Sequence, residues 1–257
     1  MTSLAWGVHD AWVVTLRHLR HIPRVPQLLF FSAIQPVLFL LLFSYVFSGS
    51  IHVPGIDYKV FMVPGTFIQT MAFAAAATSV GLADDLQKGF IDRFRSLPMA
   101  RSAVLVGRIV SDATRNLLVI LIMATAAHLI GFRFVTGVLP ALAGLGLLML
   151  FSFAFSCIGA AIGLAVRKPE AAQMAATFWM FPMIFASSAF VPLATLPGWM
   201  RVWAEYSPVT ATVDALRALF FGYGDPTRPV LIGLAWYVAL AAICLPLAVR
   251  SYRRAAM

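Results

Sequence analysis

The sequence has few charged residues. Of its 257 residues only 11% are charged while 61% are hydrophobic, and the mean hydropathy is +0.89. A soluble domain usually has about 25% charged residues, so this chain cannot cover its apolar residues with water-facing groups. The composition argues against a soluble enzyme or a DNA-binding domain and is typical of an integral membrane protein.

Cysteine is nearly absent as well. Cys157 and Cys244 are the two cysteines, and they lie far apart in apolar runs without a CxxC or metal-ligand spacing. This excludes a disulfide framework and gives no support to a zinc site. We expect both to be small packing residues and predict no metal site in the chain.

Motifs for ATP binding and for hydrolytic chemistry are missing. The three lysines, Lys59, Lys88 and Lys168, do not follow a glycine, so no phosphate-binding GxxxxGK[ST] loop occurs. HExxH and GxSxG are absent too. We therefore expect no catalytic residue and no cofactor in this chain, and any uphill transport would draw its energy from another polypeptide.

Acidic residues are missing from long stretches. None lies between Asp112 and Glu170 or between Glu170 and Glu205, and His128 is the one histidine in its apolar run. Proton-coupled carriers generally need ionisable groups near the bilayer centre. The sequence therefore does not favour a secondary carrier.

Long apolar runs are what the chain does have. A membrane-spanning helix needs about 20 mostly apolar residues. The runs predict a single all-α transmembrane domain over 1–257 with six spans, at 27–48, 60–83, 103–131, 138–166, 171–195 and 230–249.

The basic residues are unevenly distributed among the connections. Fourteen of the nineteen Lys and Arg lie in the N-terminal segment, after the second and fourth spans, and in the tail. The positive-inside rule then places both termini in the cytoplasm. Basic residues in the cytoplasmic connections of a membrane protein account for the net charge of +9, so the charge does not require a nucleic-acid partner.

The N-terminal segment 1–26 is amphipathic. Trp12 and Leu16 share a helical face with other apolar residues, and Arg17 and Arg20 lie mostly on the rest of the helix. The pattern predicts a helix in the headgroup plane rather than a cleaved signal peptide. A helix packed on protein is the alternative.

The connection after the second span forms a second amphipathic segment, at 84–98. Phe90, Phe94 and Leu97 form an apolar ridge at i, i+4 and i+7, flanked by basic residues. From the pattern alone this helix either docks into a groove on a cytosolic partner or lies on anionic lipid.

Two further patterns lie inside the spans. Arg108, Asp112 and Arg115 form a stripe that would either line the inner mouth of a path or form an intrahelical ion-pair ladder. Gly159 and Gly163 form a GxxxG motif, which allows close helix approach within a subunit or between subunits.

The stretch from Pro192 to Pro229 is too apolar for a free loop. Pro208 divides it into two short helices, the first of which carries Trp199 and Trp203. These helices would sit where protein or a cavity covers them. An interfacial aromatic belt is the alternative.

Several motifs together resemble one protein family. The pattern acidic-x-x-x-Lys-Gly-x-x-acidic-Arg-x-x-x-x-Pro-Met-x-Arg-Ser runs from 84 to 102, and related stretches lie at 167–173, 190–199 and 208–219. In order and spacing they are similar to the ABC exporter permeases of the daunorubicin-resistance type. Family members often have Glu-Arg or Glu-Lys where this chain has Leu86-Gln87, so ion pairs with a partner would differ.

The resemblance implies a role for each segment. Segment 84–98 would be a coupling helix that contacts a cytosolic ATPase, and 1–26 a connecting helix that contacts it too. Segment 197–222 would be a re-entrant pair at the outer end of the path. The residues implied are Asp85, Lys88, Phe90, Arg93, Phe94 and Leu97 for coupling, Trp12, Leu16, Arg17 and Arg20 for the connecting helix, and Trp199, Trp203, Asp214 and Arg217 for the outer pair.

The implied function is the permease half of an ATP-driven exporter in a bacterial cytoplasmic membrane. Two ATPase subunits would bind ATP and Mg, and a second permease, identical or related, would complete the conduit. The long apolar runs favour an amphiphilic or lipophilic cargo such as a drug, antibiotic or lipid. A polysaccharide or glycolipid exporter, and an ion-coupled secondary carrier, remain alternatives.

Overall fold

The computed structural model describes residues 26–46, 55–89 and 101–255, with side chains described over 34–46, 55–89 and 111–251. These residues form eight α-helices and contain no β-strand. The helices are α1 Pro26–Val46, α2 Tyr58–Gln87, α3 Arg101–Leu129, α4 Val138–Val166, α5 Pro169–Phe185, α6 Gly198–Tyr206, α7 Pro208–Phe221 and α8 Thr227–Ala255, with a 3₁₀ turn Leu193–Thr195 between α5 and α6. The predicted all-α class is confirmed over this part of the chain, and the amphipathic segment 1–25 lies outside it.

In the described part of the chain, three helices are long and apolar enough to cross a membrane. These are α2, α4 and the Thr227–Ser251 portion of α8. Helix α1 has 21 residues and contains a shorter apolar stretch, Ile34–Val46. The architecture is therefore that of a multi-helix membrane protein, and the number of six spans stays a prediction.

Helix α5 is shorter than the fifth predicted span, 171–195. It ends at Phe185 after 17 residues, which corresponds to about 25 Å of helix. The backbone N–H of Ser188 then donates to the Oγ1 of Thr210 on α7 (3.1 Å) instead of continuing the helical pattern. A hydrogen bond to a distant helix thus takes the place of the next intrahelical hydrogen bond, although the apolar run continues.

Helix α2 is longer than the second predicted span, 60–83. It continues to Gln87, so 84–87 form its last turn rather than the start of a separate coupling helix. The backbone N–H of Lys88 caps the end by donating to the Asp84 carbonyl (2.9 Å). Gly89 follows with a φ of 66°, a conformation that glycine adopts without strain.

Helix α8 also extends beyond its predicted span, 230–249. At its start, the Asp225 carboxylate accepts hydrogen bonds from the backbone N–H (3.0 Å) and the Oγ1 (2.8 Å) of Thr227. These bonds satisfy donors that have no partner inside the helix. Three residues are thereby added before Val230.

The GxxxG motif of α4 packs inside the subunit. A Cβ on Gly159 would lie 2.2 Å from the Ala75 carbonyl oxygen, and a Cβ on Gly163 would lie 2.2 Å from that of Ser79. Both contacts are to the backbone of α2, which cannot retreat as a flexible side chain can. The two glycines therefore allow α2 and α4 to approach closely.

The two ends of the bundle are built differently. At one end, Phe132 packs edge-to-face on Phe221 of α7, with ring centroids 4.8 Å apart. At the other, Leu82, Leu164 and Ala248 belong to a separate buried cluster that joins the C-terminal parts of α2, α4 and α8.

Candidate functional site

Helices α6 and α7 form the short pair predicted at 197–222. The Oγ of Ser207 accepts a hydrogen bond from the Val209 backbone N–H (3.3 Å), and Pro208 is the first residue of α7. A serine N-cap followed by proline is a strong start signal, so α6 ends and α7 begins at this point. Most of α7 is buried, whereas Ala204 is the buried residue of α6.

Arg217 on α7 is a buried cation whose side chain is 3% exposed. Its Nη1 donates to Asp214 Oδ1 (2.8 Å), its Nη2 to the Ser188 carbonyl (2.7 Å) and its Nε to the Phe61 carbonyl (3.1 Å). The guanidinium carbon lies 3.5 Å from the centroid of the Phe61 ring. These partners compensate for the water that the charge has lost.

Ser188 connects the same carboxylate and cation to the segment that follows α5. Its Oγ donates to Asp214 Oδ1 (2.9 Å) and accepts from Arg217 Nη1 (3.2 Å). We call Arg217, Asp214, Ser188 and Phe61 the Arg217 clamp. It holds the α5–α6 connection against α7.

Helix α2 is the third member of this arrangement. A Cβ on Gly65 would lie 2.1 Å from the Ala189 carbonyl oxygen, so glycine permits the α5–α6 connection to rest on the α2 backbone. The hydroxyl of Tyr58 donates to the Phe190 carbonyl (3.1 Å) one residue further on. The clamp therefore joins α2, α7 and the α5–α6 connection at one end of the bundle.

The two tryptophans predicted with Asp214 and Arg217 lie apart from the clamp. Trp199 is 76% exposed and Trp203 is 51% exposed on α6. They border a cavity of about 410 Å³ beside Phe185 of α5. Of the four residues predicted for the outer pair, the structure thus brings Asp214 and Arg217 together. For Trp199 and Trp203, a place in the outer pair and a place in an interfacial aromatic belt both stay open.

The two described residues of the predicted stripe on α3 have different surroundings. Asp112 is buried and accepts a hydrogen bond from Thr78 Oγ1 on α2 (2.8 Å). Arg115 Nη2 lies 3.6 Å from the other carboxylate oxygen, and the Arg115 side chain is 29% exposed. The carboxylate therefore ties α3 to α2, while the arginine reaches the surface. The side chain of Arg108 lies outside the described part.

Sequence reasoning missed several polar residues inside the bundle. Asn116 Nδ2 donates to Ser152 Oγ on α4 (2.7 Å), and Thr78 bonds Asp112 as described. Gln69 is 5% exposed on α2. A polar side chain within an apolar span is the available signal, since such residues are rare and usually face protein.

Only the beginning of the predicted coupling segment is described. Asp85 is half-buried in the last turn of α2, and Lys88 is exposed, with its Nζ 2.6 Å from Asp84 Oδ2. The remaining coupling residues Phe90, Arg93, Phe94 and Leu97, and the N-terminal residues Trp12, Leu16, Arg17 and Arg20, lie outside the described residues.

The connections that follow α2 and α4 and the end of α8 lie at one end of the bundle. Leu82, Leu164 and Ala248 pack together, so the C-terminal parts of α2, α4 and α8 lie side by side. The described basic side chains at this end are Lys88, Arg167, Lys168 and Arg250. The opposite end, which we call the clamp end, carries Lys59, Arg133, Arg201, Arg217 and Arg228, so the number of described basic side chains does not distinguish the two ends. The connections that the positive-inside rule assigns to one side are nevertheless neighbours in the fold.

A helical bundle in which several helices are long and apolar enough to cross a bilayer is the architecture of a multi-pass membrane protein. Its sequence belongs to a specific family: the ABC-2 type transporter model matches residues 9–221. The chain is therefore a member of the ABC-2 type transporter family, the membrane permease component of an ABC transporter. The resemblance drawn from the motifs is confirmed.

Named relatives agree with this assignment. The chain is 31% identical over 220 residues to the daunorubicin resistance ABC transporter permease protein DrrB1 of Streptomyces coeruleorubidus, covering 86% of this chain and 77% of that protein. It is 29% identical over 237 residues to the probable doxorubicin resistance permease DrrC of Mycobacterium tuberculosis, covering 87% and 81%. A putative transport permease, ycf38 of Cyanophora paradoxa, is 23% identical over 221 residues, covering 83% and 74%.

Proposed function

We propose that this chain is the permease subunit of an ATP-driven exporter that moves an amphiphilic or lipophilic compound out across a bacterial cytoplasmic membrane. A separate ATPase in two copies binds ATP and Mg, and a second permease, identical or related, completes the conduit. The names of the bacterial relatives, which refer to daunorubicin and doxorubicin resistance, support a drug-like cargo.

The observation that carries the proposal is the position of α2. This helix has 30 residues and is about 45 Å long. Its last turn holds Asp85 and leads into the proposed coupling segment. Near its other end, Phe61 and Gly65 contact the Arg217 clamp and its connection. One continuous helix, which contains Pro64, thus links the proposed ATPase contact to the clamp.

The mechanism follows from that link. ATP-driven closure of the ATPase pair pushes on 84–98, and α2 shifts relative to its neighbours. The contacts between Arg217 and Phe61 break, and α7 separates from α2 at the outer end of the path. A hydrogen bond to a charged group is worth about 1.5–3 kcal/mol, so these contacts hold the path closed at rest without locking it permanently.

A second candidate rests on the ionisable residues inside the bundle. Asp112 and Arg115 lie on α3 within the predicted third span, and ion-coupled carriers use such groups. Asp112 is already bound to Thr78, which favours a role in joining helices over a role in proton transfer. A glycolipid or polysaccharide exporter is a variant of the first proposal with a different cargo.

The test of the proposal is affinity purification of the tagged chain in mild detergent. We expect a cytosolic ATPase in stoichiometric amount with the wild type and its loss with Phe94→Asp, which places a carboxylate on the apolar ridge. Ser96→Asp is the matched control, because it adds the same charge on a different face of the predicted helix. Equal recovery of the ATPase with both variants would contradict the coupling assignment.

Transport in inverted vesicles separates the remaining alternatives. With daunorubicin as the probe, we expect uptake that needs ATP and persists when an uncoupler collapses the proton gradient. Loss of uptake under ample ATP would favour the ion-coupled carrier. ATP-dependent movement of a glycolipid with no movement of daunorubicin would favour the glycan variant.

A further inference from the structure

A groove lies between α1, α2 and α3, away from the Arg217 clamp. It has a volume of about 210 Å³ and is lined by polar and apolar side chains together. The polar lining includes Gln69, Arg115 and Asn116, and the apolar lining includes Phe39 and Phe73. A lining of mixed character is expected where a molecule with a polar head and an apolar body binds.

Gln69 has an amide with unused hydrogen-bonding capacity. The residue is 5% exposed and lines the groove. Its side-chain amide makes no hydrogen bond to any residue in the described part of the chain, and its polar atoms are not among the fully buried unpaired ones, so they are accessible from the groove. A ligand in the groove would supply that partner.

Arg115 is the charged side chain in the described lining. In the described part of the chain its ion pair is to Asp112, at 3.6 Å, which is beyond hydrogen-bond distance. A guanidinium has five N–H donors, so most of them remain available to a ligand. The guanidinium can therefore pair with an anionic group of a ligand, next to the Asp112 carboxylate that offsets part of its charge.

The groove lies well inside the predicted spans. Gln35 follows the start of α1 by nine residues, about 14 Å, and Arg115 follows the start of α3 by fourteen residues, about 21 Å. The hydrocarbon core of a bilayer is about 30 Å thick. An arginine at such depth is a candidate functional residue.

We propose that this groove binds the anionic head group of an amphiphile. Arg115 pairs with the head group, Gln69 hydrogen-bonds it, and Phe39 and Phe73 contact the first part of its apolar chain. A volume of 210 Å³ is below the range of about 300–1,000 Å³ that holds a whole drug-sized ligand, so the rest of the molecule extends between the helices.

The ligand has two sources to distinguish, a resident anionic lipid of the bilayer or an exported compound that carries an anionic group. Both present the same chemistry to the groove. An exported compound as the ligand rests on the proposed exporter function, whereas the proposal that the groove binds an anionic head group does not.

The test uses the full chain with its ATPase in lipid nanodiscs and a photoactivatable phosphatidylglycerol. Without ATP, we expect cross-links in 34–39, 69–77 and 115–119. They should exceed those from a neutral diacylglycerol probe with the same chains by about tenfold, the ratio for one charge-assisted hydrogen bond.

Variants identify the residues responsible. Arg115→Gln should lower labelling by the anionic probe to the level of the neutral probe, and Arg115→Lys should retain most of it. Gln69→Leu, which retains Arg115, should also reduce labelling by the anionic probe, because the amide that hydrogen-bonds the head group is removed. Arg228→Gln removes an exposed arginine elsewhere and should leave labelling unchanged. All variants are compared at matched melting temperature and monodispersity.

Equal labelling by both probes, or labelling unaffected by Arg115→Gln and Gln69→Leu, would overturn the proposal. Because the labelling needs no ATP, its result stands even if no ATPase co-purifies and the exporter function fails. Addition of ATP then separates the sources. Label that falls during turnover marks an exported compound, label that stays marks a resident lipid, and the binding site is supported in either case.

Discussion

Arg217 of α7 contacts both the backbone and the side chain of Phe61 on α2. Its Nε donates to the Phe61 carbonyl (3.1 Å), and its guanidinium carbon lies 3.5 Å from the centroid of the Phe61 ring. Helix α7 cannot leave α2 without breaking both contacts at once. This pair of residues is therefore where an opening movement at the clamp end has to act.

Replacing Arg217 should destabilise the bundle strongly. Arg217→Ala leaves Asp214 and three backbone carbonyls without their cation. Because the Asp214 side chain is 36% exposed, water compensates part of its loss, and the cost should lie below the value of about 3–5 kcal/mol for a fully buried pair. We expect a large drop in the melting temperature of the detergent-solubilised protein. The melting temperature of Arg217→Lys should lie between those of the wild type and Arg217→Ala. The lysine ammonium keeps the positive charge but cannot donate to several acceptors in one plane as a guanidinium does.

Arg201→Ala provides the control for charge alone. Arg201 is exposed on α6 and pairs with Glu205 at 3.0 Å, four residues along the helix. Exposed pairs of this spacing contribute only about 0.3–0.5 kcal/mol. If Arg201→Ala and Arg217→Ala lower the melting temperature equally, the clamp has no special role in stability.

The close contact between α4 and α2 should tolerate no added methyl group. A Cβ on Gly163 would lie 2.2 Å from the Ser79 carbonyl oxygen. We expect Gly163→Ala to destabilise the protein by about 1–3 kcal/mol, the usual cost of overpacking. Thermal unfolding followed by circular dichroism measures the effect.

Gly146→Ala is its matched control on the same helix. A Cβ at position 146 meets no atom within 4 Å. Alanine is favoured over glycine in a helix interior by about 1 kcal/mol, so this variant should be neutral or slightly stabilising. A similar loss in both glycine variants would mean that the α2–α4 contact does not limit residue size.

The start of α8 should weaken in acid. Hydrogen bonds from the backbone N–H and hydroxyl of Thr227 hold the pKa of the Asp225 carboxyl below its ordinary value of 3.8. The stabilisation is fully present above that ordinary value and is lost as pH falls through the lower folded value. We expect faster amide exchange in the first turn of α8 at that point.

Asp225→Asn separates this effect from general acid exposure. Asparagine keeps an acceptor for Thr227 but does not titrate in this range. The ratio of exchange rates between wild type and variant should therefore rise only in acid. A ratio that does not change with pH would show that the carboxylate has no part in holding the turn.

The sequence predicted some helices well because their ends carry local signals. Helix α4 occupies 138–166, the same bounds as the fourth apolar run, between Gly137 and the pair Arg167-Lys168. Helix α5 has no such signal at its end. The apolar run continues past Phe185, and the helix stops because Ser188 bonds to α7.

The residues of the Arg217 clamp could be predicted from the sequence only in part. Asp214 and Arg217 stand three residues apart, so their pairing follows from helix geometry. Phe61 is 156 residues from Arg217 in the chain and contributes a backbone carbonyl. An acceptor of that kind is present in every residue type, so no feature of the sequence could distinguish Phe61 as a partner.

The most direct test of the account is whether the clamp end moves when the ATPase closes. Spin labels at Lys59→Cys on α2 and Ala194→Cys in the α5–α6 connection, in a Cys157→Ala/Cys244→Ala background, report the distance across that end. We predict that trapping the ATPase with ATP and vanadate changes this distance in wild type and Ser96→Asp complexes. An unchanged distance in complexes that hydrolyse ATP and move cargo would contradict the proposal that α2 opens the Arg217 clamp.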